Sequence, residues 1–347
     1  MSAATTRLPL GRIIAVAFSL MAFAFALAGD ARAQTPFYQG KTLNIMVGFP
    51  PGGGYDVYAR LLARSLGKRI PGEPTVIVQN MPGAGSLNLA NHLYSLAPRD
   101  GTVIGSIETA MPFEAFFNPD AVRFDPLKFT WLIGLNSEVT TCFVWHASPI
   151  KSFSDLFTRE AKFGATNSGA TPVVEPRVAN ALLGTKIGIV TGYPGTGDIF
   201  LAIERGEVEG ACGVGWTALN VAKADWLREG KLRILAQNAT KRHPAVPEVP
   251  LLLDFAKTGE QRQLLELLAA PQDIGRPILA PPDVPAERRD ILRKGLEETV
   301  ADPGFLADAA KAGLFINPVR GGDIEVMLVR IAKMDRALIA KMAALRQ

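Results

Sequence analysis

The sequence predicts an α/β protein of two lobes, each a sheet flanked by helices, with two chain crossovers between the lobes. Strand-like and helix-like segments alternate from Lys41 onward, as they do in doubly wound sheets. Two stretches, 134–141 and 270–275, separate apolar runs in the manner of domain crossings. Residues 34–138 and 270–347 then form lobe 1, and residues 139–269 form lobe 2. Two such lobes enclose a cleft that can close on a ligand.

The strands are predicted from short apolar runs bounded by turn residues. In chain order they span 43–48, 74–79, 102–107, 131–135, 141–147, 162–165, 187–191, 208–212, 231–236 and 276–280. The helices are predicted from apolar residues at three- and four-residue steps. They span 57–68, 86–96, 153–161, 173–183, 197–205, 218–229, 261–269, 285–301, 305–312 and 323–345. The last carries one apolar stripe, and we expect it to pack on its own domain.

The first 33 residues have the pattern of a signal peptide. Arg7 and Arg12 precede an apolar run at 13–28, and a small-x-small cleavage site ends at Ala33. The apolar run is shorter than the ~20 residues that a membrane-spanning helix needs. We therefore expect cleavage after Ala33 and export to a bacterial periplasm.

Charge and cysteine content narrow the function classes. The chain has 37 basic and 33 acidic side chains, and the signal peptide holds three of the basic and one of the acidic ones. The mature protein is thus close to neutral, which argues against a nucleic-acid partner or an anionic membrane surface. Cys142 and Cys212 are the two cysteines, and the sequence permits either a disulfide or two buried thiols.

A glycine-rich turn follows the first strand and precedes the first helix. Backbone N–H groups are accessible beside glycines, and with the positive end of the helix dipole they form an anion site. The alternative interpretations are that the turn is only a tight connection between strand and helix, and that Asp56 is only a helix N-cap. The candidate ligand-binding residues in this turn are Pro51, Gly52, Gly53, Gly54, Tyr55 and Asp56.

A second turn of this kind, at 164–171, stands between a strand and a helix in the predicted lobe 2. Because ligands of open α/β sheets bind at the carboxyl ends of strands, further candidates follow other strands. An aromatic residue there can be a cleft wall or part of the core. The candidates outside the first turn are Ser106, Thr109, Thr166, Asn167, Ser168, Gly169, Ala170, Tyr193, Gly213 and Trp216.

The sequence does not favour an enzyme. The first turn lacks the Lys and Ser/Thr of a phosphate-binding P-loop, and no Gly-x-Ser-x-Gly motif occurs. Ser168 is the one attractive nucleophile, and none of the three histidines has an evident relation to it. Histidine pairs at metal-ligand spacing are also missing. We expect no catalytic residue, no metal and no cofactor.

Several motifs resemble those of the solute-binding proteins of tripartite tricarboxylate transporters, the TctC or Bug receptors. They are Pro-Pro-Gly-Gly-Gly-Tyr-Asp at 50–56, Pro-Gly-Ala-Gly at 82–85, Ala-Pro-Arg-Asp-Gly at 97–101, and the stretches 163–169, 230–235 and 242–250. The resemblance covers nearly the whole mature chain. It implies a periplasmic binding protein of type II-like fold that closes on a small carboxylate and works with membrane permease subunits. We expect a monomer.

By this resemblance, the turn at 51–56 is the first jaw of the site, and the turn at 166–170 is the second. Two positions depart from the common family pattern. Tyr55 replaces a small hydroxyl residue, and Gly213-Val214 stands where many members have Asp-Asn. The missing acidic group favours a carboxylate without an amine, either a di- or tricarboxylate or an aromatic acid.

Two other functions stay open at this stage. A receptor that presents its closed form to a signalling partner needs the same ligand-dependent surface as one that serves a permease. A secreted hydrolase that uses the glycine-rich turn as an oxyanion site is the less favoured alternative.

Overall fold

The computed structural model describes residues 35–166 and 170–346 as two mixed sheets flanked by helices, which confirms the predicted fold class. The strands are β1 Thr42–Val47, β2 Thr75–Asn80, β3 Val103–Ser106, β4 Thr130–Gly134, β5 Thr140–Trp145, β6 Ala161–Gly164, β7 Ile187–Val190, β8 Gly210–Gly215, β9 Leu232–Asn238, β10 Pro277–Ala280 and β11 Val319–Arg320.

The helices surround these sheets. They are α1 Gly54–Leu66, α2 Leu87–Ser95, α3 Met111–Phe117, α4 Thr171–Leu183, α5 Thr196–Glu204, α6 Trp216–Ala222, α7 Ala224–Arg228, α8 Gly259–Ile274, α9 Ala286–Ala301, α10 Pro303–Lys311, α11 Gly321–Ala332 and α12 Arg336–Arg346. No helix among the described residues combines the length and apolar character required to cross a membrane.

Strands from both ends of the chain build the first sheet, in the order β11-β4-β10-β3-β1-β2. β1 is parallel to β2 and β3, whereas β10 is antiparallel to β3 and β4. The second sheet, β7-β6-β8-β5-β9, uses the middle of the chain, with β5 antiparallel to β8 and β9. The chain therefore passes between the sheets twice, whereas the proposed lobe boundaries at 138 and 269 stay predictions.

The helices differ from the prediction in four places before the C-terminal segment. The segment 153–161 forms only a 3₁₀ turn, Phe153–Phe157, because Ser152 and Asp155 cap it reciprocally and β6 begins at Ala161. The helix at 218–229 is broken at Lys223. The predicted loop 270–275 is instead the end of α8, which continues past Pro271 because Leu267, Leu268 and Ile274 are buried. The short helix α3 was not predicted.

The predicted C-terminal helix is two helices. Asp335 interrupts it, since its carboxylate accepts a hydrogen bond from the Ala337 amide at 2.8 Å and so starts α12. α12 packs against α4 and α8 and also against α3, so it contacts elements attached to both sheets. The expected packing within one domain therefore does not describe α12.

The structure decides between the two states that the sequence left open for the cysteines. Cys142 on β5 and Cys212 on β8 form a disulfide that joins neighbouring antiparallel strands 70 residues apart in the chain. Both residues are buried, so the disulfide lies in the protein core.

Candidate functional site

A cavity of about 700 Å³ lies between the two sheets. Tyr55 and Thr109 line it from the first-sheet side, and Ala170, Thr171 and Gly213 line it from the second-sheet side. The crossovers contribute Asn136, Glu138, Gly275 and Arg276, and α12 contributes Met342 and Arg346. Four of the predicted site residues are therefore brought together here: Tyr55, Thr109, Ala170 and Gly213.

The first glycine-rich turn ends at the start of α1. Gly53 is the N-cap residue and has no side chain to satisfy the first amides of the helix. The N–H groups of Gly54, Tyr55 and Asp56 find no backbone acceptor among the described residues. Because such amides and the helix dipole favour negative charge, this end of the cavity suits an anionic group.

Asp56 fastens the turn from behind. Its buried carboxylate accepts hydrogen bonds from the Gly52 amide, the Arg60 Nε and the Asn80 Nδ2, each at 2.8 Å. The hydrogen bond from Arg60, followed by those from Gly52 and Asn80, outweighs the effect of burial and lowers the pKa of Asp56 to about 2. Asp56 therefore keeps its charge at neutral pH and has a supporting position behind the turn. The N-cap residue of the helix is Gly53, so the alternative interpretation of Asp56 as an N-cap is wrong, whereas its predicted ligand contact stays a prediction.

Pro51, Gly52 and Asp56 face a separate depression of about 420 Å³ on the far side of the turn. Gly52 has a φ of 82°, which glycine adopts without strain and which turns the chain toward α1. The residues of the first predicted jaw therefore lie on two sides of the turn. Tyr55 lines the cavity, and these three residues lie behind it.

Asp56→Asn tests this supporting role. A group whose folded pKa is depressed stabilises the fold above its unfolded pKa, and that stability is lost as pH falls through the folded value. We therefore expect Asp56→Asn to lower the free energy of unfolding by about 2 kcal/mol at pH 7. The loss should shrink below pH 4 in urea titrations at several pH values. Asp120→Asn, at an exposed position, is the control, and equal stability of the two variants at pH 7 would contradict the role.

Tyr55 connects the turn to the rest of the site. Its hydroxyl is 2.9 Å from the Thr109 Oγ1, and the Thr109 Oγ1 donates to the Gly275 carbonyl at 2.8 Å. The ring stacks on Phe49 with centroids 4.4 Å apart. Burial raises the pKa of Tyr55 to about 12, so the hydroxyl stays neutral. These contacts hold the Tyr55 ring in one place.

The second turn is described only at its ends, because Asn167, Ser168 and Gly169 lie outside the described residues. Ala170 is the N-cap residue of α4, and the start of that helix lines the cavity. Gly213 lies against it with a φ of 70°, and a Cβ there would be 2.5 Å from the Thr171 backbone. Both helix starts, α1 and α4, therefore open on the same cavity.

The other predicted residues lie outside the cavity lining. Ser106 is buried at the end of β3, and Trp216 is buried at the start of α6 with its ring centroid 5.3 Å from that of His243. The Thr166 carbonyl accepts a hydrogen bond from Gly192. Tyr193 packs on the core around Phe143 and Ile199. These residues, which follow strands, make contacts within their own local structure. The ligand contacts predicted for the four of them stay predictions.

A buried network supports α4. The Glu175 Oε1 accepts hydrogen bonds from the Thr140 hydroxyl and from the Asn238 Nδ2, the latter at 2.8 Å. The Glu175 Oε2 is buried with no partner in the part of the chain that the structure covers. Burial raises the pKa of Glu175 to about 7. The carboxyl group is therefore costly to ionise where it stands.

Glu175→Gln should stabilise the protein in alkaline solution. An acid whose folded pKa is raised above 4.5 stabilises the fold below that pH, and the contribution is lost as pH rises through the folded value. We expect Glu175→Gln to gain about 2 to 3 kcal/mol over the wild type at pH 8 and little at pH 5. Thermal melts across this range measure it. A variant no more stable at pH 8 than at pH 5, relative to wild type, would rule out an ionisation cost.

Most of the charged lining was missed from the sequence, from which only Glu108, at the end of a first-lobe strand, could be expected to reach the cleft. Glu108, Glu114 and Glu138 supply three carboxyl groups, and Arg276 and Arg346 supply two guanidinium groups. Arg346 on α12 binds Glu114 at 3.1 Å, and burial raises the pKa of Glu108 to about 7. Arg276 was assigned to a strand, and the signal that could have found it is its place directly after Gly275 at the second crossover. Within the described ranges, no group of histidine, cysteine or acidic side chains has the arrangement of a metal site.

Comparisons with known proteins show the family and the fold. The family model described as tripartite tricarboxylate transporter family receptor, TctC, matches residues 58–310. A protein from the ttuE-ttuC' intergenic region of Agrobacterium vitis is 29% identical over 291 residues, which are 82% of this chain and 78% of that protein. Protein BugT of Bordetella pertussis is 42% identical over 76 residues, 22% of each chain.

Solved structures share the fold. A TctC solute binding protein from Polaromonas superposes with a TM-score of 0.68 at 18% identity, over 88% of this chain and 98% of that one. MatC from Rhodopseudomonas palustris with bound malate superposes with a TM-score of 0.54 at 20% identity, over 88% and 99%. A further R. palustris protein, with adipate, gives 0.55 at 19% identity, over 88% and 97%.

Proposed function

The chain belongs to the tripartite tricarboxylate transporter receptor family, TctC, and we propose that it captures a small organic carboxylate between its two lobes in the periplasm. It then delivers the ligand, as a monomer, to the membrane permease subunits of a tripartite transporter. Export with cleavage after Ala33 is part of this proposal. Members of the family are periplasmic solute-binding receptors, which supports ligand capture without turnover.

The cavity at the junction of the two sheets carries the proposal. The amides at the start of α1 and the N-terminal turn of α4 approach it from opposite sides. Two helix N-termini that converge on one space favour an anion, and a movement of the two sheets toward each other brings them closer. Tyr55, Thr109, Ala170 and Gly213 then contact the ligand, together with the turn at 166–169.

Relatives of the same fold supply candidate ligands. The solved structures of similar proteins hold malate and adipate, which are both small dicarboxylates. The cavity is large enough for acids of this size and for a single aromatic ring. No acidic residue stands at 213 or 214, and the acidic side chains of the lining, Glu108, Glu114 and Glu138, each accept a hydrogen bond from within the protein. We therefore propose a carboxylate without an amine.

Thermal shift and calorimetric titration of the mature protein test this function. The panel is malate, adipate, citrate, benzoate, hexanoate, aspartate and glutamate. An acid at 100 times its Kd should stabilise the fold by about 2.7 kcal/mol, because it binds the folded state alone. Binding of aspartate or glutamate only would overturn the choice of an amine-free ligand. A flat response to every acid would overturn the proposed function.

A further inference from the structure

We infer that Arg276 is the specificity-determining residue of the cavity, whose guanidinium group binds one ligand carboxylate while the body of the ligand is apolar. The inference rests on the proposed function and narrows it to carboxylates with an aliphatic or aromatic body. It assigns the charge of the ligand to one end of the cavity and its hydrophobic part to the other.

The backbone of Arg276 is fixed at the second crossover. The residue follows Gly275, and its carbonyl accepts a hydrogen bond from the Leu135 amide at 2.9 Å. The next residue, Pro277, pairs with Gly134 in the first sheet. The side chain therefore projects from a point where both crossovers meet, and it reaches the cavity without depending on a mobile loop.

Aromatic rings hold the guanidinium group in place. Its Cζ is 4.7 Å from the ring centroid of Tyr55 and 5.0 Å from that of Tyr58. The Arg276 Nη1 is 3.6 Å from the position that a Cβ of Gly54 would occupy. The cation thus lies beside the first amides of α1. Two positive groups of different origin adjoin each other, and only an anion satisfies both.

Arg276 has no anionic partner of its own. None of the described carboxylates lies within 4.0 Å of its guanidinium nitrogens, and its Nε is buried without a hydrogen-bond partner. By contrast, Arg346, the other cation of the lining, is already paired with Glu114. Glu138 interacts electrostatically with Arg276 from beyond ion-pair distance. Its Oε1 already accepts a hydrogen bond from the Thr217 amide. A cation left unpaired at a cavity wall is a site for a carboxylate from outside, which a guanidinium binds in a bidentate manner.

The remainder of the lining has neutral polar side chains such as Asn136, Thr140 and Gln272 and is otherwise largely apolar or acidic. Leu87, Met111, Val174, Leu267, Leu268 and Met342 all contribute aliphatic surface. Glu138 has no basic partner within ion-pair distance in the described ranges, so an additional ligand carboxylate beside it meets like charge when Glu138 is ionised. Glu108, whose pKa is raised to about 7 by burial, is only partly ionised at neutral pH and repels less. These surfaces favour an acid with one carboxylate and a hydrophobic body over a tricarboxylate.

Calorimetric titration with benzoate, hexanoate, malate, adipate, citrate and the neutral analogue benzamide tests both parts. The wild type should bind benzoate or hexanoate more tightly than citrate, and benzamide should bind at least about 30-fold more weakly than benzoate. Arg276→Met, similar in length and uncharged, should lose about 30-fold or more in affinity for the best acid. Arg276→Lys keeps the charge and should lose less. Arg262→Met, on the exposed side of α8, is the matched control and should bind like the wild type.

The outcomes separate the two proposals. A wild type that binds none of the acids overturns the proposed function. A wild type that binds an acid while Arg276→Met binds it equally well overturns the role of Arg276, and so does benzamide as tight as benzoate, a comparison that needs no variant. Citrate as the tightest ligand overturns the apolar body. If Arg276 served only to offset Glu138, the ligand-free Arg276→Met protein would lose stability and Glu138→Gln would restore it, without a change in affinity.

Discussion

Replacing both Cys142 and Cys212 with alanine should lower the free energy of unfolding by about 4 kcal/mol. The disulfide joins residues 70 positions apart. In the chain-entropy model, removing a cross-link across a loop of that length raises the conformational entropy of the unfolded chain and lowers its free energy by about 4 kcal/mol. Both side chains are buried, so the lost sulfur atoms add a packing cost. Urea unfolding under oxidising conditions measures the change.

The same bond should influence the ligand site. β5 and β8 carry Thr140 and Gly213, which line the cavity, and the disulfide joins these two strands. Reductant should lower the stability of the wild type toward that of the double variant and leave the double variant unchanged. A wild type equally stable with and without reductant, once thiol titration shows that the bond is open, would contradict the predicted contribution.

Gly275→Ala should destabilise the protein by about 3 kcal/mol and weaken ligand binding. Gly275 has φ 68° and ψ −147°, a conformation that is essentially confined to glycine. A Cβ there would be 2.2 Å from the Asn136 carbonyl oxygen, which belongs to the other crossover. The substitution therefore combines backbone strain with a collision between two backbones, neither of which can rotate away.

Gly313→Ala is the matched control, because Gly313 has the same φ of 68° but open space where a Cβ would stand. It should cost about 1 kcal/mol from the backbone alone. The difference between the two variants in urea unfolding measures the contact between the crossovers together with the backbone strain specific to the Gly275 ψ of −147°. Equal losses would show that the crossovers separate freely. Since Gly275 also accepts the hydrogen bond from Thr109 and precedes Arg276, titration of the Gly275→Ala protein should show weaker binding.

Much of the fold could be predicted from the chain. The strands around β1, β2 and β6 were placed within one or two residues, because a buried strand needs a short apolar run with turn residues at its ends. The helix at 323–345 was predicted as one element because periodicity continues through Asp335. Its carboxylate caps α12, and a cap in mid-pattern is not visible in the hydrophobic spacing. The opposite error occurred at 270–275, which was predicted as a loop. There α8 continues past Pro271, because residues on both sides of the proline are buried.

The candidate site was predicted in part. Glycine at the start of a helix indicates exposed amides from local sequence, and this placed Tyr55 and Ala170 in the proposed site. Arg276 could not be predicted in the same way. It is 221 positions from Tyr55 in the chain. What makes it a candidate is that its guanidinium group lies 4.7 Å from the Tyr55 ring and has no carboxylate partner among the described residues. Contacts of this kind depend on how the two crossovers pack.

The sequence alone determined the family, the α/β class and the glycine-rich turn, because each follows from residues that are neighbours in the chain. Tertiary structure decided that Asp56 supports the turn from behind and that Cys142 bonds Cys212. It also decided that α12 contributes Met342 and Arg346 to the cavity lining and that Arg276, at its wall, has no ion-pair partner within the described part of the chain. Charge pairing, burial and disulfide geometry are properties of distances between remote segments, and hydrophobic periodicity does not encode those distances.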